Sequence, residues 1–202
     1  MKNSMFDPGE YQVKIKTPTG EAQWACLAKP KKWTDDDKGK YQISLILNKE
    51  DAEAIINTCT AIKEKIADII QKDDRPVKLS PYDPWKEMED GRIELRFKKP
   101  HYPAGDKYPE SRPVTTYMPD GTKVDWSTVD WAVGNGSIVQ IAGYARPYYV
   151  GTLGLGITLK LDKVKIHELQ EYTSGEGDDY GFSAPVDSEF SSGEVGQPEA
   201  DF

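Results

Sequence analysis

Residues 137–166 read SIVQIAGYARPYYVGTLGLGITLKLDKVKI. The first half alternates with a period of two. Val139 and Ile141 point one way and continue to Gly143 and Ala145. Gln140, Tyr144, Arg146 and Tyr148 point the other way, the pattern of a strand with one buried face. Gly143 suits a sharp bend, as at the corner of a barrel. A Gly-rich turn over 151–156 follows. The next run has Ile157, Leu159 and Leu161 in one phase but Val164 and Ile166 in the opposite phase. A one-residue slip at Asp162–Lys163 restores a single apolar face, so a β-bulge is expected there. With the slip, Lys160, Lys163 and Lys165 share the other face.

Working outward, the same period recurs. YQVKIK (11–16) sets Val13 and Ile15 against Lys14 and Lys16. Ala22 to Ala28 reads as a strand ending at Lys29–Pro30. Tyr41, Ile43, Leu45 and Leu47 alternate after a polar loop, and Ile93, Leu95 and Phe97 alternate against Glu94, Arg96 and Lys98. Val114 to Met118 is a short strand before a Pro119–Asp120–Gly121 turn. Residues 79–91 and 100–113 read as turn-rich excursions, and Gly134–Asn135–Gly136 is a turn signal. One helix stands out. Asn48 is a good N-cap, with Glu50 and Asp51 in the first turn, where the helix dipole favours acids. Ile55, Cys59, Ile62, Ile66 and Ile69 form one apolar stripe, and the helix is expected to reach Gln71. Many short strands, one helix and Gly-marked bends give an all-β chain built as a small Greek-key barrel.

The net charge of −8, from 34 acids and 26 bases, first argues against a nucleic-acid partner. Its placement reverses that. No Lys or Arg follows Lys165, and nine of the 34 acids lie from Glu171 onward, leaving 25 acids against 26 bases in the first 170 residues. The body is near neutral and the end of the chain carries the acidity, the mark of an interaction tail. The division is therefore a body over 1–169 and an acidic tail over 170–202. The tail is too poor in aliphatic residues to order itself.

Cys26 and Cys59 are too few for a disulfide framework. With two histidines they are also too scattered for a zinc site, and both read as reduced thiols. No apolar run follows the first Lys, and no stretch approaches the ~20 apolar residues of a membrane span. A cytoplasmic protein without a signal peptide is expected. No cofactor, metal or catalytic constellation is read from the chain. His101 and His167 accompany no nucleophile motif. The 151–156 glycines precede a strand and not a helix, so a hairpin turn outweighs phosphate binding. Asp35–Asp37 lacks the spacing of a calcium loop.

What remains is bases interleaved with aromatics, the chemistry that single-stranded DNA asks for. Cations follow its phosphates, and rings stack on its exposed bases. Lys31, Lys32 and Trp33 form one such segment after Lys29. Arg96, Lys98 and Lys99 with Tyr102 form a second. The third is Tyr144, Arg146, Tyr148 and Tyr149, beside Lys160 and Lys163 on the next strand. Trp126 and Trp131 read as packing residues. An alternative is a β-barrel module that binds carbohydrate or protein through Trp and Tyr. A sugar site needs rings but not Arg96, Lys98 and Arg146 beside them. Hydrolysis is a distant third, since Glu94 and Asp162 cannot be placed on a common cleft.

The chain resembles the OB-fold single-stranded DNA-binding proteins of tailed bacteriophages. The resemblance is carried by Ala28–Lys29–Pro30, YQISLILNKEDAEAI (41–55), Lys78–Tyr82, the 133–169 stretch and a tail closing in Asp201–Phe202. It implies a five-stranded OB barrel with a helix between strands and sequence-independent binding and protection of single-stranded DNA in phage replication and recombination. It also implies strand annealing, and contacts of the acidic tail (Glu199, Asp201, Phe202) with the phage polymerase and helicase–primase in the host cytoplasm. The basic strand maps to Arg96 and Lys98, and a Pro-aromatic pair to Tyr148. A homodimer is left open.

Overall fold

The computed structural model describes residues 6–32, 34, 38–72, 77–102 and 112–172. Trp33, Asp35–Asp37 and the tail from residue 173 lie outside them. The strands are β1 (Val13–Lys16), β2 (Gly20–Lys31), β3 (Lys40–Leu47), β4 (Trp85–Glu87), β5 (Ile93–Pro100), β6 (Thr115–Tyr117), β7 (Ala132–Val133), β8 (Ile138–Val150), β9 (Gly154–Glu168) and β10 (Glu171–Tyr172). The helix α1 (Lys49–Lys72) joins β3 to β4.

Five strands close a ring. β2 pairs β3, β3 pairs β5, β5 pairs β9 in parallel, β9 pairs β8, and β8 returns to β2 at Gly20–Val139 and Glu21–Ile138. This is the five-stranded OB barrel with one helix that the sequence led us to expect. Closure removes the free edges that an open sheet exposes. β1 extends the β2 path along β8, β4 adds to β5, and β6 lies parallel to β9. β7 and β10 form a separate two-stranded sheet.

The interior holds Ile43, Leu45, Leu95, Phe97, Val139, Ile141, Leu159 and Ile166, all but sealed from solvent. Gly143 sits where β8 crosses β9 most closely: a Cβ there would meet the backbone carbonyl of Lys160, so any side chain would force the strands apart. The expected slip is present. Gly143 pairs Leu161 and Ala142 pairs Lys163, which leaves Asp162 as the extra residue of a bulge. Asn48 caps α1, its Oδ1 accepting the Asp51 amide at 2.8 Å. The helix packs on β5, β8 and β9. Its buried stripe is Ala52, Ile55, Cys59, Ile62, Ile66 and Ile70. Ile70 and not Ile69 completes it, because 70 lies 18 residues, five full turns, beyond the buried Ala52 and so shares its side of the helix, while Ile69 falls on the other flank and is half-buried.

Several element boundaries differ from the sequence reading: β2 runs on through Pro30 to Lys31, and β9 starts at Gly154 inside the expected turn. Residues 85–87, read as loop, add a short strand to β5. Backbone pairing also includes residues 170–172. Gln170 and Ser137 exchange hydrogen bonds, the Gly134 amide donates to the Gln170 carbonyl at 2.8 Å, and Tyr172 pairs Ala132. These backbone bonds carry no apolar signature in the sequence.

Candidate nucleic-acid interface

Residues directly opposite across a ladder share a face. One rung runs around much of the barrel on this rule. Lys14 faces Tyr144, Tyr144 faces Lys160, Lys160 faces Lys98, Lys98 faces Gln42, and Gln42 faces Cys26. On one side of it, Arg146 faces Thr158 and Arg96 faces Ser44. On the other, Lys16 and Lys163 both face Ala142. The bulge at Asp162 is what returns Lys163 to this surface. The outer face of the barrel therefore gathers bases from β1, β5, β8 and β9 that are far apart in sequence.

The crowding has an electrostatic signature. Partial burial, then the nearby charges of Lys40, Arg96 and Lys160, hold the Lys98 ammonium below the usual lysine range. Burial and the Arg146 guanidinium do the same to Lys160. Among the described residues, neither lysine has a carboxylate within ion-pair distance. Lys31 stands directly opposite Lys40, a like-charge pairing that is unfavourable in itself. Arg96 is different. Its Nη2 donates to Glu94 at 2.8 Å, and Glu94 also accepts the Ser44 hydroxyl at 2.7 Å. The Arg96 bond, ahead of the Ser44 bond, draws the Glu94 carboxyl below its ordinary range. Glu94 thus aims Arg96 and offsets part of its charge.

Two depressions share this surface. One, of about 340 Å³, is lined by Tyr82, Arg96, Lys98, Tyr148 and Thr158. The other, of about 270 Å³, is lined by Trp24, Lys31, Lys40, Gln42, Arg96 and Lys98. Arg96 and Lys98 belong to both, so the two form one groove with rings at each end. Tyr148 lies over Gly156, where a Cβ would collide with its ring, and its hydroxyl shares a 3.1 Å hydrogen bond with Ser80. Ser80 Oγ also accepts the Tyr82 amide at 3.3 Å, and Tyr82 is 64% exposed.

The structure thus brings together Lys31, Arg96, Lys98, Tyr144, Arg146, Tyr148, Lys160 and Lys163. It separates others. Lys99 is in the inward phase of β5, with its Nζ 5.5 Å from the buried Tyr41 ring and donating to the Arg112 carbonyl at 2.9 Å. Tyr149 packs against the core opposite Leu155. Lys32 is exposed past the end of β2, and Tyr102 past the end of β5. Trp33, Glu199, Asp201 and Phe202 lie outside the described residues. Trp126 and Trp131 pack edge to face at 5.5 Å, and the Trp126 indole donates to the Val114 carbonyl.

Sequence reasoning missed Lys14, Lys16, Lys40, Tyr82 and Trp24. The two β1 lysines were visible as the polar phase of YQVKIK but lacked a neighbour until β1 was placed beside β8. Trp24 carried no such signal. A register shift between Gln23 and Cys26 turns it outward with φ +54°, and its amide donates to Asn135 Oδ1 at 2.8 Å. Both cysteines are free, and burial pushes the Cys59 thiol up to about 12. Among the described residues, no group of three or more His, Cys, Asp or Glu side chains is placed to hold a metal, and no helix is long and apolar enough to cross a membrane.

The fold has solved counterparts. The chain is similar to gp2.5, a single-stranded DNA binding protein encoded by bacteriophage T7, at 19% identity and a TM-score of 0.66 over 90% of this chain and 100% of that one. It is also similar to the single-stranded DNA-binding protein of bacteriophage Enc34 in complex with ssDNA, at 16% identity and a TM-score of 0.52 over 80% of this chain and 89% of that one. No protein-family model matches the chain, and no curated protein matches it in sequence. The barrel is the fold that these phage proteins share.

Proposed function

We propose that this chain binds single-stranded DNA without sequence preference and without catalysis, in phage DNA replication or recombination in the host cytoplasm. The observation that carries this reading is the rung Lys14–Tyr144–Lys160–Lys98 with Arg96 and Arg146 beside it. Cations this close repel one another and draw in a polyanion. The rings of Tyr82, Tyr148 and Trp24 at the groove ends offer stacking surfaces to unpaired bases, worth about 1–3 kcal/mol each. Backbone phosphates lie on the bases and nucleobases on the rings, so one groove serves any sequence. That the solved proteins of this fold are named for single-stranded DNA binding supports the reading. A carbohydrate site would use the rings but gain nothing from partly buried ammonium groups crowded beside one another.

The acidic tail resembles a strand of phosphates in charge. In this reading it competes for the groove until DNA displaces it, and is then free to recruit the polymerase and helicase–primase through Glu199, Asp201 and Phe202. Fluorescence anisotropy with oligo-dT tests both parts. Salt-sensitive binding that tightens when residues 173–202 are removed is the expected result. No binding at low salt by either form would sink the reading, and equal affinity of the two forms would remove tail competition from it.

A further inference from the structure

Trp24 faces a second depression beyond the groove. This one, of about 490 Å³, lies among Trp24, Cys26, Lys31, Val133, Asn135 and Tyr172. Lys31 and Trp24 line it and the groove alike, so the two are continuous. The two rings at its rim are among the most exposed aromatic residues described, Trp24 at 62% and Tyr172 at 61%. Neither exposure is casual. Trp24 is held out by a left-handed backbone (φ +54°), a conformation unfavourable for a bulky side chain, and the Asn135 side chain fixes it there. Tyr172 is held by β10, whose register depends on the hydrogen bonds of Gln170 to Gly134 and Ser137. The turn at 134–137 therefore positions both rings, one through Asn135 and the other through Gly134 and Ser137.

An apolar floor from Val133 and Ala25, two exposed rings and a single lysine at the junction with the groove suit one flat, uncharged group attached to a phosphate. Glu171 also lines the depression and disfavours a second phosphate there. Given the single-stranded DNA reading on which this inference rests, we propose that the depression between Trp24 and Tyr172 takes a nucleobase, with its phosphate on Lys31. The strand's path then runs from Tyr148 and Tyr82 across Arg96 and Lys98 and ends at the root of the tail. The last base before the tail is bound by stacking, whereas the middle of the path is bound by charge.

The test compares oligo-dT with an abasic strand of equal length, which keeps the phosphates and lacks the bases. Full-length protein, Tyr172→Ala, Tyr172→Phe and Trp24→Gly are titrated against both. Glycine accepts the left-handed backbone, so Trp24→Gly removes the ring without straining the bulge. Tyr172→Ala and Trp24→Gly should each weaken oligo-dT binding about 5- to 150-fold, the loss of one stacked base, and leave abasic binding unchanged. Tyr172→Phe should bind like the parent. Unchanged oligo-dT affinity in both ring-deleting variants overturns the proposal, as does an equal loss on both strands. If Arg96→Ala still weakens binding in those cases, the groove reading stands alone. Parent protein that binds neither strand removes both.

Discussion

Replacing Lys98 and Lys160 together by methionine should make the protein more stable and a poorer ligand for DNA. The two lysines face each other across β5 and β9, and each is held below its usual pKa, chiefly by burial and then by neighbouring cations. A lowered lysine pKa means that the folded state holds the proton less tightly than the unfolded chain does. Folding is therefore penalised at neutral pH, and stability rises with pH through the window between the folded and unfolded values. Methionine keeps the apolar stem and removes the charge. Solvent screens both partly exposed ammonium groups, so relief of their burial and repulsion should return about 0.5–1 kcal/mol, or about 2–4 °C of Tm per kcal/mol in a domain of this size. The binding cost is read from salt. Each phosphate neutralised on a single strand contributes about −0.7 to the slope of log K against log salt, so losing two contacts flattens it by about 1.4. Between about 50 and 200 mM salt, the advantage of the parent protein should shrink roughly sevenfold. Thermal unfolding and anisotropy at several salt concentrations give both numbers. A double variant with the parent's salt slope would take these lysines out of the interface. One that melts below the parent would show that the two ammonium groups do not penalise folding as their lowered pKa implies. The same shift predicts that oligo-dT affinity falls as pH rises toward the ordinary lysine range, earlier than normal lysines would require.

Glu94→Gln should tighten binding at low salt and steepen the salt slope by about 0.7, because it keeps an acceptor for Ser44 and removes the carboxylate that offsets Arg96. A weaker complex in anisotropy would mean that aiming Arg96 matters more than its net charge. Gly156→Ala should push Tyr148 off its seat and weaken binding about 5- to 150-fold, the range for one stacked base, at an unaltered salt slope. Overpacking should also cost about 1–3 kcal/mol in thermal unfolding. Cys26 should alkylate in the native protein while Cys59, buried with its thiol pushed up to about 12, should react only on unfolding. Mass spectrometry of protein treated with and without denaturant distinguishes the two.

The parts of this molecule that were legible in its sequence are those governed by period and volume. The alternation of β8, the slip at Asp162 and the α1 stripe follow from which side chains must face inward. So does the gathering of Tyr144, Arg146, Tyr148 and Lys160 on one outer face. What was not legible depends on register between distant strands or on backbone detail. Lys14 joins the cationic face only because β1 pairs β8 with Lys14 opposite Tyr144. Lys99 lies next to Lys98 in sequence but belongs to the other face of β5, and a run of bases hides that division. Trp24 sits in a stretch that reads as an ordinary strand, and its exposure comes with a register shift at which its amide bonds the Asn135 side chain, 111 residues away.

Net charge misleads for a related reason. With 25 acids and 26 bases in the first 170 residues, the body has no excess to advertise. On the proposed reading a binding field therefore has to come from placement, with ammonium groups crowded onto one face whose Glu94 carboxylate is already engaged by Arg96 and Ser44. Partial burial and then crowding are costly in the free protein, and both lower the proton affinity of Lys98 and Lys160. A polyanion in the groove would offset that cost by supplying the opposite charge. Binding should then draw protons back onto these two lysines at alkaline pH, so the heat of oligo-dT binding measured near the lysine range should depend on the ionisation enthalpy of the buffer. The same titration at neutral pH should not. A buffer-independent heat at alkaline pH would mean that the phosphates do not reach the Lys98–Lys160 pair.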